Sequence, residues 1–359
     1  MTSTPTPAST ASPADAETHG SKPARHLRME SVTHAFRGAA YRHLGGELVA
    51  VDDVSMSLAS NPPQIVTLVG ESGSGKSTVA RMLLGLLKPA QGRVTFDGDD
   101  IYDLSSQGRS SFRRAVQGVF QDPYGAFNPF FRADRVLWKA IDRFGMARNR
   151  ADALAVIEQS LAAVQLRPTD VLGRYPHQLS GGQRQRIMLA RAHLLQPAFI
   201  VADEPVSAVD VSVQAQIMNL LLDLRDRLEL TLLFIAHDLS VVQYISTNVG
   251  VMYLGRIVEV GPRRELFTRP RHPYTQGLLR AAPRPDPKRR TFSVAISGEP
   301  PSPLNPPPGC HFHTRCPIAT ERCKQEKPLL VSIGYGHEVA CHHHDVAATR
   351  WTTPAANPL

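Results

Sequence analysis

The chain has 359 residues, enough for about two domains of average size. Hydrophobic residues make up 42% of the sequence and charged residues 20%, which excludes a fibrous or largely disordered protein. The longest uncharged run of the second half, residues 239–255, is too short and too polar to span a bilayer. The first residues lack the apolar segment of a secretory signal, so we expect a cytoplasmic protein.

The charge and the prolines are unevenly distributed. The formal net charge is +8, and a net positive charge is common among nucleic-acid-binding proteins. However, the segment from Pro262 onward holds 14 Lys and Arg against 7 Asp and Glu, together with 16 of the 29 prolines. Because proline is excluded from helix and strand interiors, we predict a regular body over residues 29–262. A disordered tail is predicted over 1–28 and a Pro-rich extension over 263–359.

Apolar patterning predicts the elements of the body in chain order. Strands are predicted over residues 27–36, 51–58, 64–70, 197–205 and 230–238. Helices are predicted over residues 77–87, 151–165 and 211–228. Buried strands that alternate with helices in this way indicate an α/β fold with a parallel sheet.

A glycine-rich motif stands between the strand at 64–70 and the helix that follows. It reads Gly-Glu-Ser-Gly-Ser-Gly-Lys-Ser and matches GxxxxGK[ST] in the strand–helix context that the motif requires, which argues against a chance match in a glycine-rich turn. Backbone N–H groups of such a loop surround phosphates, Lys76 reaches the β- and γ-phosphates, and Ser77 ligates Mg²⁺. The predicted nucleotide-binding residues are Gly70, Glu71, Ser72, Gly73, Ser74, Gly75, Lys76, Ser77 and Thr78.

Two acidic residues end a second buried strand. Asp203 and Glu204 follow four apolar residues, at the carboxyl end of a parallel strand, where ligands of α/β proteins bind. Asp203 is predicted to hold Mg²⁺ through water, and Glu204 to act as the general base that orients the attacking water. The alternative is that both carboxylates only cap the next helix. Together with the glycine-rich loop, they indicate a P-loop NTPase.

A third motif, Leu-Ser-Gly-Gly-Gln at 179–183, opens another predicted helix, whose N-terminus can bind phosphate. One chain cannot easily place the N-termini of both phosphate-binding helices around one γ-phosphate. We therefore predict a head-to-tail dimer in which each nucleotide is bound between two chains. This motif resembles the LSGGQ signature of the ATP-binding-cassette (ABC) family. The resemblance implies an ABC-type nucleotide-binding domain with a helical subdomain at about 122–182. It also implies ATP contacts from Ser180, Gly181, Gly182 and Gln183.

The next residues of that helix, Arg184, Gln185 and Arg186, are predicted to form a solvated helix face.

Other ABC motifs appear in the expected order. Gln121 resembles the Q-loop glutamine, which implies a catalytic role and a further Mg²⁺ ligand, and Asp210 resembles the D-loop aspartate. His237 resembles the switch histidine that contacts the γ-phosphate, although a histidine at a strand end can also be a simple cap. Phe36, or alternatively Tyr41, would stack on adenine, whereas an aromatic residue on an early strand can equally belong to the core.

Several longer segments resemble the ATPase subunit of oligopeptide/dipeptide permeases, and the similarity covers about residues 27–343. These segments are RYPHQLSGGQRQR, DEPVSAVDVSVQAQI, RHPYTQGLL and GEPPSPLNPPPGCHFHTRCP. The resemblance implies ATP- and Mg²⁺-dependent peptide import by a peripheral protein on the cytoplasmic face of the inner membrane. It further implies two permease membrane subunits, an extracytoplasmic substrate-binding protein and a second ATPase subunit, identical or related.

Two alternative functions stay open at this point. One is the same architecture with nickel or a sugar as cargo. The other is a soluble ABC ATPase that acts on nucleic acid, which the net positive charge would suit. The long coiled-coil or zinc-hook insertions and the tandem second cassette of such proteins are missing from the sequence, so we expect no nucleic-acid partner.

All four cysteines lie within 32 residues of the extension, close enough to form one site. Disulfides are disfavoured in the cytoplasm. The C-x2-4-C pairs of structural zinc sites are missing, whereas four thiolates can hold a [4Fe–4S] cluster, which the permease resemblance implies for some members. Zinc and unligated thiols are the alternatives. The residues concerned are Cys310, Cys316, Cys323 and Cys341.

Overall fold

The computed structural model describes residues 24–37, 47–120, 125, 127–207, 210–282, 296 and 298–351, so residues 1–23 of the predicted tail lie outside the described residues. The strands are β1 (His26–Phe36), β2 (Leu48–Ala59), β3 (Ile65–Val69), β4 (Gln91–Phe96), β5 (Asp99–Asp100), β6 (Val116–Val119), β7 (Phe199–Asp203), β8 (Thr231–Ile235), β9 (Asn248–Tyr253), β10 (Arg256–Pro262), β11 (Val331–Ser332) and β12 (Glu338–Val339).

The helices follow the same chain order, and 3₁₀ turns lie at Pro176–Gln178 and His313–Arg315. The α-helices are α1 (Lys76–Leu83), α2 (Ser106–Ala115), α3 (Arg135–Phe144), α4 (Arg150–Ala163), α5 (Pro168–Val171), α6 (Gly181–Leu194), α7 (Val211–Leu228), α8 (Leu239–Ile245), α9 (Arg263–Thr268), α10 (Pro273–Ala281), α11 (Glu321–Gln325) and α12 (His344–Thr349).

The strands form two sheets. The smaller one is antiparallel, with strand order β2-β1-β4-β5. The larger one has the order β11-β12-β10-β9-β3-β8-β7-β6. Its strands β9, β3, β8, β7 and β6 are parallel, and β10, β12 and β11 continue it antiparallel. The predicted α/β fold class with a parallel sheet is confirmed.

The parallel strands are buried on both faces of the sheet. Successive side chains of a strand point to opposite faces, and each face packs against its own apolar core. In β7, Ile200 and Ala202 face one core, whereas Phe199 and Val201 face the other. The first core also takes side chains from the helices α3 to α8, and the second takes α1, α2 and the smaller sheet. Because β3, β8 and β7 are parallel neighbours, their carboxyl ends meet along one edge of the sheet, where ligands of such sheets bind.

Helices dominate the chain between β6 and β7. Within this segment, α3 and α4 both pack on α6, and the predicted helix at 151–165 is observed as α4. Buried apolar side chains at helical spacing, such as Leu137, Ile141, Ile157 and Leu161, hold the segment together. The segment is thus a helical layer joined to the sheet through α6, which begins at the signature motif.

The C-terminal part adds to the same sheet. The hairpin β11–β12 pairs with β10, which the sequence patterning did not predict. The fully buried Glu259 carboxylate on β10 accepts hydrogen bonds from the backbone N–H groups of Arg271 at 2.6 Å and His272 at 3.0 Å, and its Oε1 lies 2.8 Å from His337 Nε2. These bonds fasten the chain around α10 and β12 to the sheet. Among the helices that the structure describes, none is long and apolar enough to cross a membrane.

Candidate nucleotide site

The glycine-rich loop connects β3 to α1, and its backbone conformation explains its glycines. Gly70, Gly73 and Gly75 have φ values of +149°, +78° and +103°, which other residues adopt only with strain. A Cβ atom on Gly70 would lie 2.1 Å from the carbonyl oxygen of Met252, and one on Gly75 would lie 2.1 Å from that of Ala50. The loop is therefore pressed against β9 and β2, and a substitution at either glycine would displace it.

Lys76, at the start of α1, is folded back onto this loop. Its Nζ donates hydrogen bonds to the carbonyl oxygens of Gly70 at 2.8 Å and Glu71 at 2.9 Å, and to Ser74 Oγ at 3.2 Å. Burial lowers the pKa of Lys76, while the charges of Glu204, Asp203 and Glu71 oppose that effect. The ammonium group is thus buried, is bonded to oxygen atoms of the loop, and lies within the electrostatic influence of three acidic residues.

Asp203 ends β7 beside the first turn of α1. Ser77 Oγ donates a hydrogen bond to Asp203 Oδ1 at 3.1 Å, across 126 residues of sequence. Burial raises the pKa of Asp203, and the hydrogen bond from Ser77 opposes this effect. Two hard oxygen donors at this separation suit Mg²⁺, which prefers carboxylate and hydroxyl ligands with several waters. The residues present therefore fit the predicted ion.

Glu204 and His237 lie together at the ends of β7 and β8. His237 Nδ1 lies 3.2 Å from Glu204 Oε1, and both side chains line a cavity of about 80 Å³. Glu204 has φ +47°, a left-handed conformation that is rare for a residue with a side chain. Its backbone N–H donates to the carbonyl oxygen of Ile235 at 3.1 Å. A strained backbone held in place by a neighbouring strand is typical of functional positions.

The signature motif forms the N-terminus of α6. Ser180 Oγ accepts a hydrogen bond from the backbone N–H of Gln183 at 3.2 Å, and Gln183 Oε1 accepts one from the backbone N–H of Ser180 at 2.9 Å. This reciprocal pair fixes the helix end, as in other capping boxes. Ser180 is exposed, and so is Asp210 before α7. Both residues are accessible to a second molecule.

The predicted solvated face of α6 is wrong for two of its three residues. Arg184 is only 3% exposed and Gln185 only 1%, and Arg186 is half-buried. The Arg184 guanidinium donates to the carbonyl oxygen of Pro176 at 2.8 Å, and Arg186 Nη2 donates to Gln216 Oε1 at 2.7 Å. Long polar side chains thus brace α6 against the preceding turn and against α7, because carbonyl and amide partners are within their reach.

Of three further predicted site residues, only Phe36 lies among the residues that the structure describes. Gln121 and Tyr41 lie outside the described residues, as do residues 208–209 of the D-loop. Phe36 is half-buried on β1 and pairs with Leu48 of β2, two residues from the Ala50 carbonyl that faces the glycine-rich loop. Its ring contacts that of His34 edge-on at 4.8 Å. The strand pairing thus brings Phe36 close to the loop along the small sheet.

The four cysteines surround one small cavity of about 10 Å³ that also involves His313 and His343. Burial raises the pKa of Cys310, that of Cys316 to about 11 and that of Cys341 to about 12. These thiols therefore stay protonated at neutral pH, and a metal would have to displace their protons.

The donor chemistry suits an iron–sulfur cluster, but the geometry does not. Among the described residues, no group of three or more His, Cys, Asp or Glu side chains is positioned to hold a metal ion. A cavity of about 10 Å³ also leaves room for little more than one water molecule.

Two residues that contact the loop were missed by the sequence reasoning. Arg315 and Tyr274 both bind Glu71, across more than 200 residues of sequence. They belong to the segments RHPYTQGLL and GEPPSPLNPPPGCHFHTRCP, which resemble permease ATPases but contain no nucleotide-binding motif of their own. Because such contacts are made in the folded chain, the spacing of residues gave no signal for them.

Two family models match the chain. The model described as ABC transporter matches residues 51–207, and the model described as oligopeptide/dipeptide transporter, C-terminal region, matches residues 258–323. The first therefore covers the glycine-rich loop, the signature motif and Glu204. The second covers most of β10, all of α10 and three of the four cysteines.

Similar proteins are known over most of the chain. A probable peptide ABC transporter ATP-binding protein of Sinorhizobium fredii is 48% identical over 86% of this chain and 86% of its own length. The oligopeptide transport ATP-binding protein AppF of Bacillus subtilis is 46% identical over 88% of this chain and 96% of its own. Among solved structures, the dimeric bacterial ABC transporter cassette MJ0796 aligns with a TM-score of 0.58 and 26% identity, covering 66% of this chain and 99% of the cassette.

Proposed function

Because this chain belongs to the family of ABC transporter ATP-binding proteins, we propose that it powers a membrane importer of dipeptides and oligopeptides. It is an ABC ATPase, an enzyme class that uses ATP and Mg²⁺. The observation that carries the peptide assignment is the second matching region, residues 258–323, joined to the cassette in one chain. Both relatives described above have peptide or oligopeptide transport in their names.

The proposed hydrolysis uses the ends of three neighbouring strands. Lys76 would exchange its carbonyl contacts for the β- and γ-phosphates, and Glu204 would accept the proton of the attacking water. His237, 3.2 Å from Glu204, would contact the γ-phosphate and hold the base in position. Mg²⁺, held by Ser77 and Asp203 with Gln121 as a further ligand, would neutralise phosphate charge.

A second chain would complete each site. The loop residues 70–78 of one chain and the signature residues 180–183 of another are proposed to enclose one ATP between them, with Asp210 at the interface. Exposure of Ser180 and Asp210 supports this arrangement, as does the dimeric state in the name of the similar cassette. Closing and reopening of the dimer would then drive the membrane subunits between inward-facing and outward-facing states.

A groove on the helical segment is the proposed docking site for those membrane subunits. It has a volume of about 710 Å³ and is lined by exposed aromatic side chains, including Phe130 and Phe131, among several arginines. The Arg135 guanidinium lies 3.7 Å from the centre of the Phe131 ring, and that of Arg150 lies 4.9 Å from the Trp138 ring. An amphipathic helix from a permease subunit would place apolar residues on these rings and acidic residues on the arginines.

The proposed assembly contains two permease subunits, an external substrate-binding protein and a second ATPase, either a copy of this chain or a related one. In this assembly the chain is peripheral to the inner membrane, on its cytoplasmic face. The excess positive charge of the extension would then face the permease or the anionic leaflet rather than nucleic acid. Nickel or a sugar is the alternative cargo.

Uptake by cells tests the transport proposal. In cells that lack this gene, we expect uptake of labelled dipeptides and oligopeptides to fall, and the wild-type gene to restore it. The variant Phe130→Asp should restore about tenfold less uptake, because a charge in the aromatic groove opposes docking. Purified Phe130→Asp should bind ATP as the wild type does, since the nucleotide site is built from the ends of β3, β7 and β8.

A matched control is Tyr335→Asp, which also changes an exposed aromatic residue. Tyr335 is 88% exposed and Phe130 is 85% exposed, but Tyr335 lies in the turn between β11 and β12. Full uptake is expected for this control. If cells that lack this gene lose nickel or sugar uptake but keep normal peptide uptake, the peptide assignment is overturned.

Metal analysis of protein purified without air decides between the three hypotheses for the cysteines. From the geometry of the described residues we expect neither iron nor zinc in stoichiometric amount, and four titratable thiols per chain after unfolding. Iron together with inorganic sulfide would instead support the cluster that the permease resemblance implies, and zinc alone would support a structural zinc site. The variant Cys341→Ser, measured in parallel, tells specific binding from contamination.

A further inference from the structure

The phosphate-binding loop is held by two side chains from the C-terminal quarter of the chain. Arg315 Nη1 donates hydrogen bonds to both carboxylate oxygens of Glu71, at 3.1 and 3.0 Å. The backbone N–H of Glu71 donates to Tyr274 Oη at 2.9 Å. Both the side chain and the backbone of Glu71 are thus bound by residues that lie outside the ABC motifs.

Arg315 is itself held rigidly. Its side chain is only 6% exposed, and that of Glu71 is 26% exposed. The guanidinium lies 5.9 Å from the centre of the Tyr253 ring and 6.0 Å from that of Phe312, and these two rings pack edge to face at 5.2 Å. Tyr274 packs on both rings as well. An ion pair that is largely shielded from water and has its cation fixed by packing restrains its partner more strongly than an exposed pair.

Glu71 transmits this restraint to the phosphate-binding lysine. The Glu71 side chain binds Arg315, and the carbonyl oxygen of the same residue accepts a hydrogen bond from Lys76 Nζ at 2.9 Å. Ser74 N–H donates to that carbonyl as well, at 3.2 Å. Displacing Glu71 would therefore move both the lysine contact and a backbone N–H group of the loop.

We propose that Arg315 and Tyr274 are positioning residues for ATP binding, which hold the loop at Glu71 in its nucleotide-competent shape. This inference rests on the proposed function, because it assigns the two residues to the ATP site of the same chain. Apparent affinity falls in proportion to the fraction of protein in the binding-competent state. Loss of the restraint should therefore weaken binding while leaving the chemical step nearly intact.

The placement of Arg315 also connects the cysteine segment to the loop. Arg315 directly precedes Cys316, and the backbone N–H of Cys310 donates to the carbonyl oxygen of Cys323 at 2.8 Å. Packing of this segment therefore sets the position of the guanidinium that binds Glu71. The cysteine segment would thus act on nucleotide affinity through the Arg315–Glu71 ion pair.

Equilibrium binding of ATP to the purified chain, combined with steady-state hydrolysis, tests the proposal. For Arg315→Ala we expect the dissociation constant and KM for ATP to rise about tenfold, with kcat changed by less than about twofold. Arg315→Lys should restore part of the affinity, because it keeps the charge but not the forked geometry. In the double variant Glu71→Ala/Arg315→Ala, the second substitution should add little, since the pair is already broken.

The matched control is Arg322→Ala, which breaks the exposed ion pair with Glu326 in the same extension, 2.6 Å between Nε and Oε2. ATP affinity should not change there. If Arg315→Ala fails to fold, Tyr274→Phe removes a single hydroxyl and should raise the dissociation constant about threefold. Unchanged ATP affinity in Arg315→Ala or Tyr274→Phe would overturn the inference. Failure of the wild type to bind ATP would overturn the proposed function instead.

Discussion

The variant Glu204→Gln is expected to hydrolyse ATP about 10²- to 10⁴-fold more slowly than the wild type, while still binding it. The amide keeps the shape of the side chain and can still contact His237, which lies 3.2 Å away in the wild type. It cannot accept the proton of the attacking water. Bound ATP would therefore persist, and with it the closed dimer, which size-exclusion chromatography with Mg²⁺ and ATP would detect.

The control for this variant is Glu229→Gln. Glu229 also has a left-handed backbone, with φ +52° against +47° for Glu204, but it is exposed at the end of α7. Its substitution by glutamine therefore tests for any general effect of this exchange on a strained backbone. Normal hydrolysis by Glu229→Gln is expected. Normal hydrolysis by Glu204→Gln would contradict its assignment as the base.

The parts of the site that were predicted from sequence lie in short local motifs. The glycine-rich loop is flanked by a strand and a helix, and at Gly70 and Gly75 a Cβ atom would lie only 2.1 Å from a backbone carbonyl oxygen. Glu204 and His237 were each predicted at the end of a buried strand, and the structure adds that these strands are parallel neighbours whose ends meet at one edge. The fold class followed from the same alternation of strands and helices.

The parts that could not be predicted depend on tertiary contacts. Arg315 lies 244 residues from Glu71, and neither residue type at that separation indicates a pair. Arg184 is charged and lies one helical turn after the exposed Ser180, yet it is buried because its guanidinium donates to a carbonyl oxygen eight residues earlier. The short strands β11 and β12 have too few residues for a periodic pattern and exist because β10 offers them an edge.

The variant Lys76→Ala is expected to abolish measurable hydrolysis and to weaken ATP binding by about 10²-fold or more. Lys76 is buried, and the acidic side chains of Asp203 and Glu204 act on its charge. Without the ammonium group, the triphosphate would face these carboxylates uncompensated. The loop itself should keep its fold, because Arg315 and Tyr274 still hold Glu71 and the glycine contacts with β9 and β2 are unchanged.

The thermal unfolding midpoint of Lys76→Ala, measured with and without ATP, distinguishes loss of ATP binding from loss of the fold. Without ATP it should stay close to that of the wild type, whereas the stabilisation by added ATP should disappear, since only a bound ligand shifts the midpoint. Lys88→Ala is the matched control: this exposed lysine follows α1 and lies 5.9 Å from the centre of the Tyr102 ring. It should keep both hydrolysis and the shift with ATP. A Lys76→Ala protein that hydrolyses ATP at the wild-type rate would remove this loop from the catalytic site, and with it the reason why Arg315 and Tyr274 would matter to ATP.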